Sequence, residues 1–327
     1  MKDQLILYTA RKMILKGQKA KGLMLMSRTR RALGDLPISN YKNIYVKIYE
    51  TAAPADYDTM IAILDRRHKT PFERFITNAR IAGPYQYYWW YDSSDALTWD
   101  RYRLIDSKAS WYIRNNDLIG AYKELAQIPH AFWTHKPYSE YIGGNPFYLD
   151  INRTGLYYGK KAAGYDKREI IEKMLALKVT ASSNPSKRAE CYFQLANAWY
   201  NMTWYGNDWL MVKPWWSAQE RDEDGKKLKR TDFNDMYYGC TRARDLYLQA
   251  MRETRDMQLA TLCCYMANLC NDNRNEYLQA LGSPGRLTKD PWLSALQKKG
   301  IDESYYNELV KECAIYQDYI RNFDREL

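Results

Sequence analysis

Histidine is scarce in this chain of 327 residues, which contains only His68, His130 and His135. Acid–base catalysis uses histidine more often than any other side chain, and these three fall in no recognisable constellation. The sequence also lacks a serine elbow, a P-loop, an H-E-x-x-H helix and a glycine fingerprint for dinucleotides. These absences favour a protein that is not an enzyme, and they nominate no catalytic residue.

Long apolar runs and metal-binding spacings are absent too. No stretch has the length and apolarity of a membrane-spanning helix, and Asp3, Arg11 and Lys12 interrupt what would be the apolar core of a signal peptide. The six cysteines include no C-x-x-C pair, so we expect no metal, no cofactor and buried free thiols. Residues 220–225 resemble a calcium loop only weakly, because Thr231 stands where a bidentate glutamate belongs.

Tyrosine and tryptophan, by contrast, are abundant, with 30 Tyr and 11 Trp against 7 Phe. Both side chains carry a polar group and suit half-buried positions and binding surfaces. Two clusters supply the candidate binding residues, which are Tyr88, Trp89, Trp90, Trp204, Tyr205, Trp209, Trp215 and Trp216. If exposed, these rings would stack on sugars or contact a peptide; if buried, they would fill seams between helices.

Positive charge is concentrated at one end of the sequence. The net charge is +10, and residues 1–80 hold 16 Lys and Arg against 7 Asp and Glu, whereas the remainder is nearly neutral. An anionic partner would explain this excess. The basic residues recur at helical spacing without a nucleic-acid-binding motif, which favours a solvated helix face and disfavours nucleic acid.

The segment 109–121 predicts two short helices joined by a tight Asn116-Asp117 turn. Small residues allow the two backbones to touch, and larger ones fill the groove around them. The residues expected to pack this hairpin are Ala109, Tyr112, Ala121 and Leu125. The pattern resembles a tetratricopeptide repeat, a helical hairpin that buries its apolar face only against neighbours.

A second hairpin signature has its two halves far apart. The first-helix pattern lies within 186–202, and the matching second-helix pattern begins 47 residues after Ala196, against 12 residues in the first hairpin. We therefore predict an insertion at 203–237 between two helices that still pack together. The residues expected to pack them are Leu195, Ala196 and Trp199 on the first helix, and Ala243, Tyr247 and Ala250 on the second.

A more specific resemblance is indicated by residues 200–207, which read Tyr-Asn-Met-Thr-Trp-Tyr-Gly-Asn. Together with the preceding helix, this run is similar to large, uncharacterised tetratricopeptide-like proteins of Bacteroidetes-type bacteria. Members of that family are thought to be exported, so the resemblance implies a periplasmic or cell-surface location if a signal precedes this sequence. It implies a fold and a compartment and carries no catalytic residues.

We predict an all-α fold: an irregular tetratricopeptide-like α–α superhelix, a solenoid of helical hairpins with aromatic loop insertions. The expected parts of this one continuous solenoid are basic helical pairs at 1–81, an aromatic loop and the hairpin 100–129 within 82–163, and further helices within 164–327. Because helical spacing is present from the first residues, we expect the chain to be a fragment of a longer protein.

The expected function is a non-enzymatic scaffold that binds another protein or peptide, an inference from architecture alone. The first alternative is a glycan-binding surface protein that uses exposed, roughly coplanar rings of the aromatic insertions. The second is a helical enzyme whose pocket is lined by paired carboxylates or by His130 and His135.

Overall fold

The computed structural model describes residues 2–28, 48–49, 51–78, 100–134, 138–142, 145–147, 164–214, 216 and 229–282. Within these ranges every regular element is a helix, as the sequence predicts, and no strand forms. Residues 79–99, which include the predicted aromatic cluster at 88–90, the calcium-like segment at 220–225 and residues 283–327 lie outside the described residues.

The described helices are numbered in chain order. They are α1 (Lys2–Leu15), α2 (Lys19–Met26), α3 (Pro54–Asp65), α4 (Pro71–Thr77), α5 (Arg101–Arg114), α6 (Leu118–Leu125), α7 (His130–Trp133), α8 (Tyr138–Tyr141), α9 (Lys167–Ser183), α10 (Arg188–Asn201), α11 (Asp232–Tyr237), α12 (Thr241–Glu253) and α13 (Met257–Ala280). Short 3₁₀ turns at Pro185–Lys187 and Trp209–Met211 complete the described elements.

The chain divides into two compact units. Unit 1 consists of Met1–Ile142, Asp166–Ile171 and Trp209–Lys226, and unit 2 consists of Gly143–Tyr165, Glu172–Asp208 and Lys227–Leu327. Helix α9 begins in unit 1 and continues in unit 2.

Unit 1 contains a series of helix–helix contacts that follows the order of the chain. Helix α1 packs against α2, α2 against α3, α3 against α5, and α5 against α6. Its core contains Leu23, Met24, Tyr57 and Met60, which are almost completely buried. Between α3 and α6, Lys108 of α5 lies 2.6 Å from Asp58 Oδ1 and 2.7 Å from Glu124 Oε1.

The first predicted hairpin is present as α5 and α6. Asp100 and Asp117 cap the two helices by accepting hydrogen bonds from Tyr102 N and Gly120 N, both at 2.8 Å. The residues predicted to pack it are placed as follows: Ala109, Ala121 and Leu125 are completely buried, and Tyr112 is half-buried. Gly120 admits the Tyr112 ring, because a methyl group there would lie 2.8 Å from Tyr112 Cδ1.

Glycine permits a similar close contact between α1 and α2. A methyl group at Gly22 would lie 2.8 Å from the carbonyl oxygen of Ala10 and 2.7 Å from Ile14 Cγ1. Because backbone must shift, we expect Gly22→Ala to lower the free energy of unfolding by roughly 1–3 kcal/mol, despite alanine's helix preference of about 1 kcal/mol. Urea unfolding followed by circular dichroism measures this, with exposed Thr9→Ala as the control. Equal midpoints for Gly22→Ala and the unmodified chain would contradict the prediction.

Unit 2 contains the helices that correspond to the second predicted hairpin. Helix α12 packs against both α10 and α13. All six residues predicted to pack α10 on α12 are buried: Leu195, Ala196, Trp199, Ala243, Tyr247 and Ala250. The intervening residues contain α11 and the turn Trp209–Met211, so the insertion is partly structured and the two helices still pair across it.

Candidate functional site

Two of the aromatic candidates form a corner at the end of α10. The rings of Trp204 and Tyr205 are perpendicular, with centroids 4.9 Å apart, and both side chains are half-buried. Backbone and side-chain contacts hold the corner: Trp204 N donates to Tyr237 O at 3.0 Å, and the Tyr205 hydroxyl donates to Asn273 O at 3.3 Å. Each of the two side chains therefore keeps part of its surface accessible to solvent.

The remaining aromatic candidates are placed differently. Trp209 is buried, with 5% of its surface exposed, and Trp216 is half-buried. Tyr88, Trp89, Trp90 and Trp215 lie outside the described residues. The perpendicular Trp204–Tyr205 pair does not form the coplanar platform that the glycan hypothesis requires.

A polar contact inside unit 2 ties a loop to the α10–α12 seam. The Tyr247 hydroxyl donates to Asn197 Oδ1 at 2.8 Å, and Asn197 Nδ2 donates to Phe147 O at 2.9 Å. Burial raises the pKa of Tyr247 well above its usual range, so the phenol stays protonated and remains a donor. Sequence analysis placed Tyr247 in the seam but did not identify Asn197 as its partner.

A buried ionic cluster occupies the interior of unit 1. Lys167 Nζ, which is fully buried, donates to Asp106 Oδ1 at 2.6 Å, to Ser110 Oγ at 2.7 Å and to Leu210 O at 3.3 Å. The Tyr138 hydroxyl donates to the second carboxylate oxygen of Asp106 at 2.9 Å. The cluster therefore joins the start of α9 to α5, α8 and the turn Trp209–Met211.

The electrostatics of this cluster are those of a buried ion pair that stabilises the fold. Burial lowers the pKa of Lys167, while the attraction of Asp106 opposes that shift. A low-pKa amine can act as a nucleophile or base, but Lys167 has no exposed surface through which a substrate could reach it. The arrangement accordingly holds helices together and offers no chemistry to a ligand.

Another buried ionisable residue, Asp208, lies in unit 2 after α10. Its backbone N–H donates to Asn201 O at 2.8 Å, and only 4% of the residue is exposed. Among the described residues we find no hydrogen-bond donor to its carboxyl group, and burial raises its pKa to about 7. Burial therefore favours the protonated, uncharged form of this carboxyl group in the folded protein.

Cysteine and histidine form no metal-binding group in the described part of the chain. Five thiols are free and buried, as the sequence predicts, and Cys313 lies outside the described residues. His130 Nδ1 lies 3.0 Å from Asp166 Oδ2, at the start of α9, and His135 is outside the described residues. Across the described ranges, no group of three His, Cys, Asp or Glu side chains is placed to hold a metal ion.

Among the described helices, none combines the length and apolarity needed to span a membrane. Comparison with known proteins finds no matching family model, no matching curated protein and no matching solved structure.

Proposed function

We propose that this chain is a non-enzymatic helical-repeat scaffold, an irregular tetratricopeptide-like solenoid that binds another protein or peptide. The observation that carries the proposal is the packing order. In unit 1, α1, α2, α3, α5 and α6 pack mainly on their neighbours along the chain, and α12 packs between α10 and α13 in unit 2. Arrays of this kind present extended surfaces that bind protein segments.

Exposed apolar side chains on the hairpins support the proposal. Ile119 of α6 and Val179 of α9 are 60% and 67% exposed. Neither contributes to a core, whereas apolar side chains that become desolvated at an interface contribute to binding. The half-buried Trp204–Tyr205 corner is of the residue type that is enriched in such interfaces.

Cross-linking to a native partner tests the proposal. The folded full chain is incubated with envelope and cytosol fractions of its own cells, treated with an amine-reactive cross-linker, recovered and digested for mass spectrometry. We expect a reproducible protein partner cross-linked to exposed lysines of the helical surface, such as Lys123, Lys178 and Lys187. A heat-unfolded sample of the chain is the control. Recovery of the same proteins by that sample, or of no protein by the folded chain, would contradict the proposal.

A further inference from the structure

The outer side of α1 carries apolar side chains that are largely exposed. Leu5, Tyr8 and Leu15 are 64%, 56% and 86% exposed. At 100° per residue these three positions fall within an arc of about 80° of the helix, so they form one stripe. The opposite side of α1 already serves the core, where Ala10 is completely buried and Ile14 packs against α2.

Basic residues border this stripe on both sides. Arg11 lies on one border and Lys16, just after the helix, on the other, while Lys12 lies within the stripe. The Lys12 ammonium group is 4.6 Å from the centre of the Tyr8 ring. All three basic side chains are exposed, and Asp3 is the only carboxylate in the α1 sequence.

The neighbouring helix α2 also carries lysines. Lys19 and Lys21 are half-buried at its start. Lys19 is paired with Asp56 of α3 at 3.1 Å, and that carboxylate also accepts a hydrogen bond from Ala53 N at 2.8 Å. The Lys19–Asp56 pair is close to neutral, so the positive charge at the α1 stripe comes from Arg11, Lys12 and Lys16, all of them exposed.

We propose that this α1 outer face, formed by Leu5, Tyr8, Leu15, Arg11, Lys12 and Lys16, docks an acidic amphipathic helix of a partner protein. The inference rests on the proposed function and names one surface and the chemistry of its partner. Apolar side chains of the partner cover the stripe, and its Asp and Glu residues pair with the basic borders.

The dimensions of the face favour a helix over a lipid surface. From Leu5 to Leu15 the stripe spans ten residues, about 15 Å along the axis, which matches about three turns of a second helix. Its three apolar residues are Leu, Tyr and Leu, without the Trp and Phe residues common on helices that insert into a membrane interface. Helices instead pair through a narrow apolar seam, with the charged residues beside the seam on one helix facing residues of opposite charge on the other.

A peptide-display selection against the folded full chain tests this proposal. The probe is a library of random 16-residue peptides, and binding of the enriched peptides is measured by fluorescence anisotropy. We expect enriched peptides with net negative charge and apolar residues at i, i+3 or i+4, and i+7. We expect the double variant Leu5→Gln/Leu15→Gln, and separately Lys12→Glu/Lys16→Glu, to weaken their binding at least tenfold. Ala62→Gln, at an exposed residue of α3 outside the proposed face, is the control and leaves binding unchanged.

Other outcomes overturn the proposal in distinguishable ways. Selection of no peptides, of peptides without the acidic amphipathic pattern, or of peptides insensitive to both α1 variants would each remove it. Sedimentation with phosphatidylserine vesicles that the α1 variants abolish, without peptide binding, would assign the face to a lipid surface. A native partner cross-linked only to other helices would leave the proposed function intact and overturn this inference alone. Thermal unfolding confirms that each variant folds.

Discussion

Replacing Lys167 by alanine is expected to lower the free energy of unfolding by roughly 3–5 kcal/mol, the usual effect of removing one partner of a buried ion pair. The replacement leaves the Asp106 carboxylate in the interior of unit 1 with the Tyr138 hydroxyl as its remaining hydrogen-bond donor from this cluster. It also removes the donor that Ser110 Oγ and Leu210 O share. Urea unfolding monitored by circular dichroism measures the loss.

The double variant Lys167→Met/Asp106→Leu separates the buried charge from the packing around it. Since apolar residues of similar volume often replace a buried pair without loss, we expect it to recover most of the stability. Lys178→Ala, on the exposed side of the same helix, is the control and should change stability by less than about 0.5 kcal/mol. If Lys167→Ala unfolded at the same urea concentration as this control, the structural role of the cluster would be wrong.

Replacing Asp208 by asparagine is expected to change how stability depends on pH. Burial raises the pKa of Asp208 to about 7 in the folded protein, against about 4 in the unfolded chain. As pH rises from 4 to 7, the unfolded chain releases this proton first, so the unmodified protein loses stability, by roughly 4 kcal/mol in total at about 1.4 kcal/mol per pH unit. Asparagine does not titrate and removes this loss.

The measurement compares urea unfolding of the two proteins at several pH values between 4 and 8. We expect nearly equal stability at pH 4 and an advantage for Asp208→Asn that grows to a few kcal/mol at pH 8. Asp272, whose pKa burial raises to about 6, is present in both proteins, so its contribution cancels in the difference. Asp245→Asn, at an exposed residue of α12, is the control. A stability difference that does not vary with pH would contradict the prediction.

The helical hairpins could be predicted because small residues at fixed spacing mark the positions where two helices close in sequence can pack together. Ala109 and Ala121, and later Ala196 and Ala250, lie where the helix backbones approach, and all four are buried. The pairing of α10 with α12 across the insertion was also predictable, because both halves of the pattern are present in the sequence. The arrangement of all hairpins as one solenoid stays a prediction.

The buried ion pair was not predicted, although the sequence carries a signal for it. Asp106 shares the apolar stripe of α5 with Ala109 and Ile113, and Lys167 shares that of α9 with Ile170 and Met174 at helical spacing. Two opposite charges, each on the apolar side of a helix, are expected to neutralise each other in a core. Which stripes face one another depends on tertiary packing, and helical periodicity does not contain that information.

For Asp208 and for the aromatic candidates no such signal exists. Asp208 belongs to an irregular segment, where burial depends on how the chain folds back, as in the hydrogen bond from its backbone to Asn201 O. Trp209 is buried and Trp204, only five residues away, is half-buried. This difference also depends on how the irregular segment folds back. Periodicity predicts which side of a helix is buried, and it does not apply in a loop.

The long connection between α10 and α12 also has an energetic consequence. Loop-closure entropy grows with the logarithm of length, by about 0.6 kcal/mol for each doubling. The connection spans residues 202–240, against 115–117 in the first hairpin, so lengthening it about thirteenfold costs only about 2 kcal/mol. The seam that closes the loop is formed by residues outside it, with Ala196, Ala243, Tyr247 and Ala250 all buried. A hairpin of this kind can therefore accept a long insertion at a small cost in loop-closure entropy, while residues of the insertion such as Asp208 and Leu210 are themselves buried.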